Sequence, residues 1–394
     1  MNQIYPERIT QARELLGLTK TELACELDVS PAAVAQWENG TKNPTTVNLA
    51  QLSLRLGFPI STFFRAPPTW LARKGPISFR ASKSAETRRT NLQAEQLVSL
   101  VAEAYAWLSK KVRLPASNLP DMGVLIDSPS EPEQVAAFCR QHWQLSNRPI
   151  LKLGELLETN GIIVARASFG DTRIDAFSCL IDGRPFMLLG AEKDDRARSR
   201  FDAAHELGHL IMHQSATARH LSDLDDHSKF EDEANRFASA FLLPAETFGS
   251  EIVDVSLSSL LLLKERWGVS VQAMVMRCHS LGLTDDKRKL ELFRQMSGKG
   301  WRRSKGEPLD DFIPEIKISV GRLSLELLEQ RGVIHSWEIQ NELPLPLDVY
   351  STAFGVERDK FESIAGDNVL EFKIDLADPD TPNSNEFPSG QASS

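Results

Sequence analysis

Residues 201–213 read FDAAHELGHLIMH, three histidines and a glutamate within thirteen residues of a largely small and apolar run. On a helix, His205 and His209 lie one turn apart on one face, so two imidazole nitrogens can reach a single ion at about 2.0–2.1 Å. Phe201, Ala203, Ala204, Leu207, Gly208, Leu210, Ile211 and Met212 surround them. Burying such polar groups among these neighbours is costly unless they are coordinated or hydrogen-bonded. Glu206 cannot comfortably share the coordination of its neighbour His205, but it can hold a water in the remaining position. Zinc lowers the pKa of such a water towards ~7, and the glutamate can take its proton and later hand it to a leaving amine. The pattern predicts a zinc-dependent hydrolytic site with His205 and His209 as ligands and Glu206 as catalytic base.

The third ligand sets the subclass. A metzincin needs Gly at 212 and His at 215, where this chain has Met212 and Ser215. Three histidines on consecutive turns of one straight helix span about 12 Å and cannot share one ion. His213 is therefore expected to hydrogen-bond beside the site. Downstream, KFEDEANRFASAFLLP carries an apolar stripe of Ala234, Phe237, Ala238, Phe241 and Leu242, ended by Pro244. Glu233, beside that stripe, is the expected third ligand, with Glu231, about 200° away around the helix, as the fallback. His220 and His227, read as lying in a polar loop between the two helices, are candidates for orienting substrate or stabilising an oxyanion.

At 394 residues the chain has room for two or three domains, and apolar and charged fractions of 41% and 25% are those of a soluble globular protein. Cys25, Cys139, Cys179 and Cys278 form no CxxC pair, which argues against a disulfide framework or a cysteine zinc knuckle. With no basic-then-apolar leader, and a longest apolar run, Leu257–Leu263, too short to span a bilayer, a cytoplasmic protein is expected. The net charge of −9 is uneven: residues 1–89 hold twelve Lys/Arg against seven Asp/Glu, leaving the remainder at about −14. A basic end on an acidic chain points to nucleic acid.

That end is punctuated as short helices. Ile9, Ala12, Leu15 and Leu16 recur at helical spacing before Gly17. Thr19 and Glu22 form a capping box before Leu23, Ala24 and Leu27. Ser30 is an N-cap followed by Pro31 at the first helical position, with Val34 and Trp37 facing inward and Asn39-Gly40 as the stop. A fourth helix follows, and two short helices joined by a tight turn make a helix-turn-helix.

Residues 71–120 read as a linker and a helix over Leu92–Arg113. Two helical stretches then precede strand-like runs IIVARA, IDAFSCLI and PFMLLGAE, the last two joined by Asp182-Gly183, a hairpin signal. The expected fold is mainly α with a small β-sheet (α+β). It comprises a five-helix helix-turn-helix domain at 1–70, a zincin-like domain at 121–285, a helical region at 286–372 and a disordered tail at 373–394. Leu260–Leu283 mimics a second helix-turn-helix but, lacking local basic excess, reads as a packing pair.

The segment LTKTELACELDVSPAAVAQWENG resembles the Xre family of DNA-binding domains over residues 8–64. The resemblance implies that Ser30, Ala32, Ala33 and Gln36 face the major groove and that Lys20 and Lys42 meet phosphates, with Gln36 the one bidentate reader, of adenine. RFDAAHELGHLIMH followed by EDEANRFASAFLLP resembles the ImmA/IrrE family of zinc peptidases over residues 130–310. That resemblance implies a gluzincin-like site with Zn2+ on His205, His209 and Glu233, and Glu206 as base. It also implies cleavage of a repressor or antitoxin-like protein by a regulator bound, as a homodimer, to an inverted repeat in duplex DNA. No cysteine lies between His209 and Cys278 to cap the zinc. A metal-bearing sensor without turnover and a DNA-binding antitoxin are the alternatives.

Overall fold

Local signals set the N-terminal helices. Helix α1 (Pro6–Leu15) precedes α2 (Lys20–Glu26), whose Thr19–Glu22 capping box closes in both directions, at 3.1 and 2.6 Å. Asp28, at a φ of 52°, turns the chain into α3 (Pro31–Glu38), where the Ser30 hydroxyl accepts from the Ala33 amide. Helix α4 (Thr46–Leu56) follows, and the expected fifth helix is a short 3-10 turn over Ile60–Phe64. Ile9, Ala12, Leu23, Leu27, Val34 and Trp37 are buried as expected, whereas Leu16 is exposed.

The computed structural model describes residues 3–70, 85–122, 131–168, 175–191, 195–214, 224–302 and 306–362. The expected tail at 373–394 and most of the expected linker lie outside them. Helix α5 (Ala85–Leu108) starts earlier and stops sooner than its apolar pattern suggested. After α6 (Pro132–His142) and α7 (Leu153–Thr159) come β1 (Ile163–Ala167), β2 (Ala176–Ile181) and β3 (Arg184–Gly190). The sheet order is β1-β3-β2, with β1 parallel and β2 antiparallel to β3, which leaves β2 at an edge. Asp182 and Gly183, both at positive φ, make the two-residue turn. The layout is α+β, as expected.

The sheet is apolar on both faces and separates two cores. Phe177, Cys179, Phe186 and Leu188 join α5, the N-terminal helices and the C-terminal α12 (Val320–Gln330) and α13 (Leu347–Phe354). Val164, Met187 and Leu189 face the other way, into a core with α8 (Arg196–Met212) and α9 (Leu224–Leu242). Helices α10 (Leu257–Trp267) and α11 (Val271–Ser280) pack into this second core as a pair. Residues 1–362 group as one compact unit, within which α5 and α13 are in contact.

Helices α8 and α9 meet at Gly208, where an added Cβ would stand 3.0 Å from the Phe237 ring and 3.3 Å from the Ala234 Cα. Only hydrogen fits there without displacement. Gly208→Val should force the helices apart and lower unfolding stability by the ~1–3 kcal/mol typical of overpacking, with an unchanged denaturant slope, measured by urea titration. Unaltered stability would show that the helices do not depend on this approach.

Candidate metal centre

Helix α8 carries the HExxH residues past this crossing. His209 is buried and His205 is partly open, at 14% of its side chain. Their Nε2 atoms are 3.0 Å apart. From α9 a carboxylate meets both, with Glu231 Oε2 3.6 Å from His205 Nε2 and Oε1 3.3 Å from His209 Nε2. The sequence favoured Glu233, but its Oε2 lies 3.0 Å from Nε2 of His213 instead. Helical phase explains the difference. Glu231 is three residues before the inward Ala234 and so shares its face, whereas Glu233 is adjacent to it and about 100° away.

The donor set suits a divalent cation. His205 Nδ1 lies 3.0 Å from the Asn235 amide oxygen, so Nδ1 holds the proton and Nε2 turns a lone pair towards His209 and Glu231. Tetrahedral ligands at about 2.0–2.1 Å from zinc stand ~3.3 Å apart, close to the separations seen here. Among the described residues His205, His209 and Glu231 are the group able to hold an ion.

Electrostatics follow the same grouping. Burial opposes ionisation of Glu231, but the hydrogen bonds and charges of His205 and His209 hold its carboxyl well below the usual range. Burial pushes His209 down, and burial together with His209 takes His213 down to about 4. For His205 burial is outweighed by Glu231 and Glu206, and its pKa rises. His227, expected in a loop, is buried inside α9, because Leu224–Leu242 is helical through it. Asp225 and Asp226 favour that helix start by matching its dipole. His220 lies outside the described residues.

Glu206 faces the sheet. The Ser178 hydroxyl of β2 donates to Glu206 Oε2 at 2.7 Å, and burial lifts the carboxyl to about 7 against the opposing pull of His205 and that hydrogen bond. Sequence reasoning missed Ser178, although it is the polar position on the Ala176, Ser178, Leu180 face of an apolar strand. It also missed Asp202, one turn before His205, whose carboxyl burial and Asp175 raise to about 7.

The N-terminal candidates differ in exposure. Ala32 and Lys42 are exposed, Ala33 and Gln36 half-buried, and Trp37 is core. Ser30 is exposed with its hydroxyl engaged in capping, and Lys20 Nζ pairs with Glu38 at 3.3 Å.

Residues 9–63 match the model of a helix-turn-helix family, and residues 157–279 match the model of the IrrE N-terminal-like domain, a peptidase family. No curated protein matches the chain. The chain is therefore a fusion of a helix-turn-helix DNA-binding domain with an ImmA/IrrE-type peptidase domain. Among the described residues no helix is long and apolar enough to cross a membrane.

Ser178 favours the ionised form of Glu206 by donating to it. Ser178→Ala should therefore move the protonation midpoint of Glu206 further up from about 7, read from the carbon shift of a labelled carboxyl in the zinc-free protein. A downward or absent shift would separate Ser178 from control of this carboxylate.

Proposed function

We propose that this protein is a cytoplasmic transcriptional regulator and zinc endopeptidase. It binds operator DNA through residues 1–70 and cleaves a repressor or antitoxin-like protein through residues 121–285, changing expression of a mobile-element, defence or stress-response locus. The observation that carries the reading is the convergence of His205, His209 and Glu231 beside the buried, Ser178-held Glu206.

His205, His209 and Glu231 would hold zinc, which supplies Lewis-acid activation of a water and of a peptide carbonyl. The Glu206 carboxylate takes the proton of the attacking water, and Ser178 keeps that carboxylate aimed by holding Oε2. The same carboxyl returns the proton to the departing amine. Strand β2, at the sheet edge, offers backbone groups to an extended substrate segment, so residues flanking the scissile bond are held by main-chain hydrogen bonds. Ala32, Ala33 and Gln36 face the groove, and Lys20 and Lys42 meet phosphates of an inverted repeat bound by a homodimer.

Purified protein should contain about one zinc, lost in His205→Ala, His209→Ala and Glu231→Ala by elemental analysis. Glu206→Gln should keep zinc, fold and DNA binding, yet slow cleavage of the physiological target at least ~10²–10⁴-fold, followed as repressor half-life and derepression in cells. Wild-type-like derepression in Glu206→Gln would leave a metal-bearing sensor in place of a peptidase.

DNA affinity should fall steeply with salt. Lys42→Ala should weaken binding to all sequences alike, while Gln36→Ala should relax preference at one base pair, measured by fluorescence anisotropy on operator and scrambled duplexes. Absence of duplex binding by the full-length protein at low salt would refute the operator reading.

A further inference from the structure

Beyond the three candidate ligands, a line of contacts runs outward from His209. Its Nδ1 is 2.9 Å from Nδ1 of His213, and Nε2 of His213 is 3.0 Å from Oε2 of Glu233. His209 and His213 are both buried, and the Phe230 ring packs on His213 with centroids 4.5 Å apart. Lys229 Nζ stands 3.8 Å from the other oxygen of Glu233.

Proton counting along this line leaves two arrangements, of which one suits a bound ion. An ionised carboxylate only accepts, so Nε2 of His213 must carry a proton and donate it to Glu233. Two facing Nδ1 atoms at hydrogen-bond distance share one proton between them. Were that proton on His213, the ring would be a cation and Nδ1 of His209 an acceptor, which in neutral His209 leaves the proton on Nε2 and closes that nitrogen to an ion. With the proton on Nδ1 of His209, His213 is neutral and accepts, and Nε2 of His209 presents its lone pair beside His205 and Glu231.

The geometry points to Glu233 and His213 as positioning residues that fix the metal-binding tautomer of His209 through a Glu233–His213–His209 relay. Asn235 performs the same task for His205 in one step. A ligand histidine is commonly held by a single carboxylate or carbonyl. Here a second imidazole is interposed, because Glu233 is on a different face of α9 from Glu231 and reaches only the next turn of α8. The inference rests on His205, His209 and Glu231 being the ligands.

The test uses the full-length chain loaded with zinc, with histidines labelled with nitrogen-15. Long-range proton–nitrogen spectra should show one tautomer each, with the proton on Nδ1 of His209 and on Nε2 of His213. Glu233→Gln, whose amide can donate or accept, should mix the tautomers and weaken zinc ~10–100-fold in chelator competition. Its zinc-free circular dichroism and melting should stay as in wild type. Glu233→Asp, which keeps the carboxylate, should restore the single tautomer. A proton on Nδ1 of His213 in the wild type, or unchanged tautomers and zinc affinity in Glu233→Gln, would overturn the relay. Complete loss of zinc in Glu233→Gln with full retention in Glu231→Gln would make Glu233 the ligand and overturn the ligand assignment with it. Zinc lost in Glu231→Gln but unaffected in Glu233→Gln would overturn the relay alone.

Discussion

The candidate metal cluster depends on one approach between two helices. Gly208 has no side chain, so Phe237 and Ala234 of α9 settle against α8, and that contact sets the distance from which Glu231 and Asn235 reach His205. Three buried arginines then hold the neighbouring backbone. Arg200 of α8 donates to carbonyls of Ile150, Leu151 and Gly268, while Arg140 and Arg277 donate to Phe241 and Leu243 at the end of α9. The Phe241, Leu243 and Gly268 carbonyls lie at or just past helix C-termini and those of Ile150 and Leu151 in the loop before α7, and a buried guanidinium satisfies them at the cost of its desolvation. Burial lowers Arg140 and Arg200 to about 10, so both remain charged at neutral pH and keep donating.

The sheet gives this arrangement its second support. Strands covered on both faces become near-continuous apolar runs, and β3 is of this kind through Pro185–Leu189. Ser178 breaks the pattern on the α8 side of β2, and its partner is Glu206. A buried hydroxyl among apolar residues is tolerated because it has a carboxylate to donate to, and a buried carboxylate because it has a donor. The edge strand and the proposed base are thus joined by one hydrogen bond.

What was legible in the sequence was local. The Thr19–Glu22 box, the Ser30 cap, the Asp182-Gly183 turn and the HExxH helix each follow from residues within a few positions, and each is present. Glu231 and Glu233 differ by two positions, so a ligand assignment between them turns on helical phase. The stripe fixed that phase only once Ala234 was read with its neighbours three and four residues away. Ser178, Arg200 and Glu103 could not be read, because their partners lie 28 or more residues off and nothing local marks a polar side chain as satisfied. His227 was misread for the opposite reason, since a polar stretch looked like a loop although tertiary packing made it helix.

The same long-range packing decides how the DNA-binding helices relate to the rest of the chain. The Arg8 guanidinium is fully buried and forks onto Glu103 of α5 with two contacts of 2.8 Å, while also reaching Gln11 and the carbonyls of Arg65 and Ala66. Helix α5 carries Tyr105 against Phe186 of β3, and β2, paired to β3, holds Glu206 through Ser178. The Thr62 hydroxyl and the Arg65 guanidinium reach carbonyls of Pro344 and Glu342. A fragment ending at residue 70 would keep the helix-turn-helix but strip Arg8 of its carboxylate and expose the apolar surface that α5 covers. Removing one partner of a buried ion pair costs ~3–5 kcal/mol, a large share of what holds a small helical domain folded. The helix-turn-helix segment is therefore built into the body that carries the candidate metal cluster, held there by contacts to α5 and to the C-terminal residues Glu342 and Pro344.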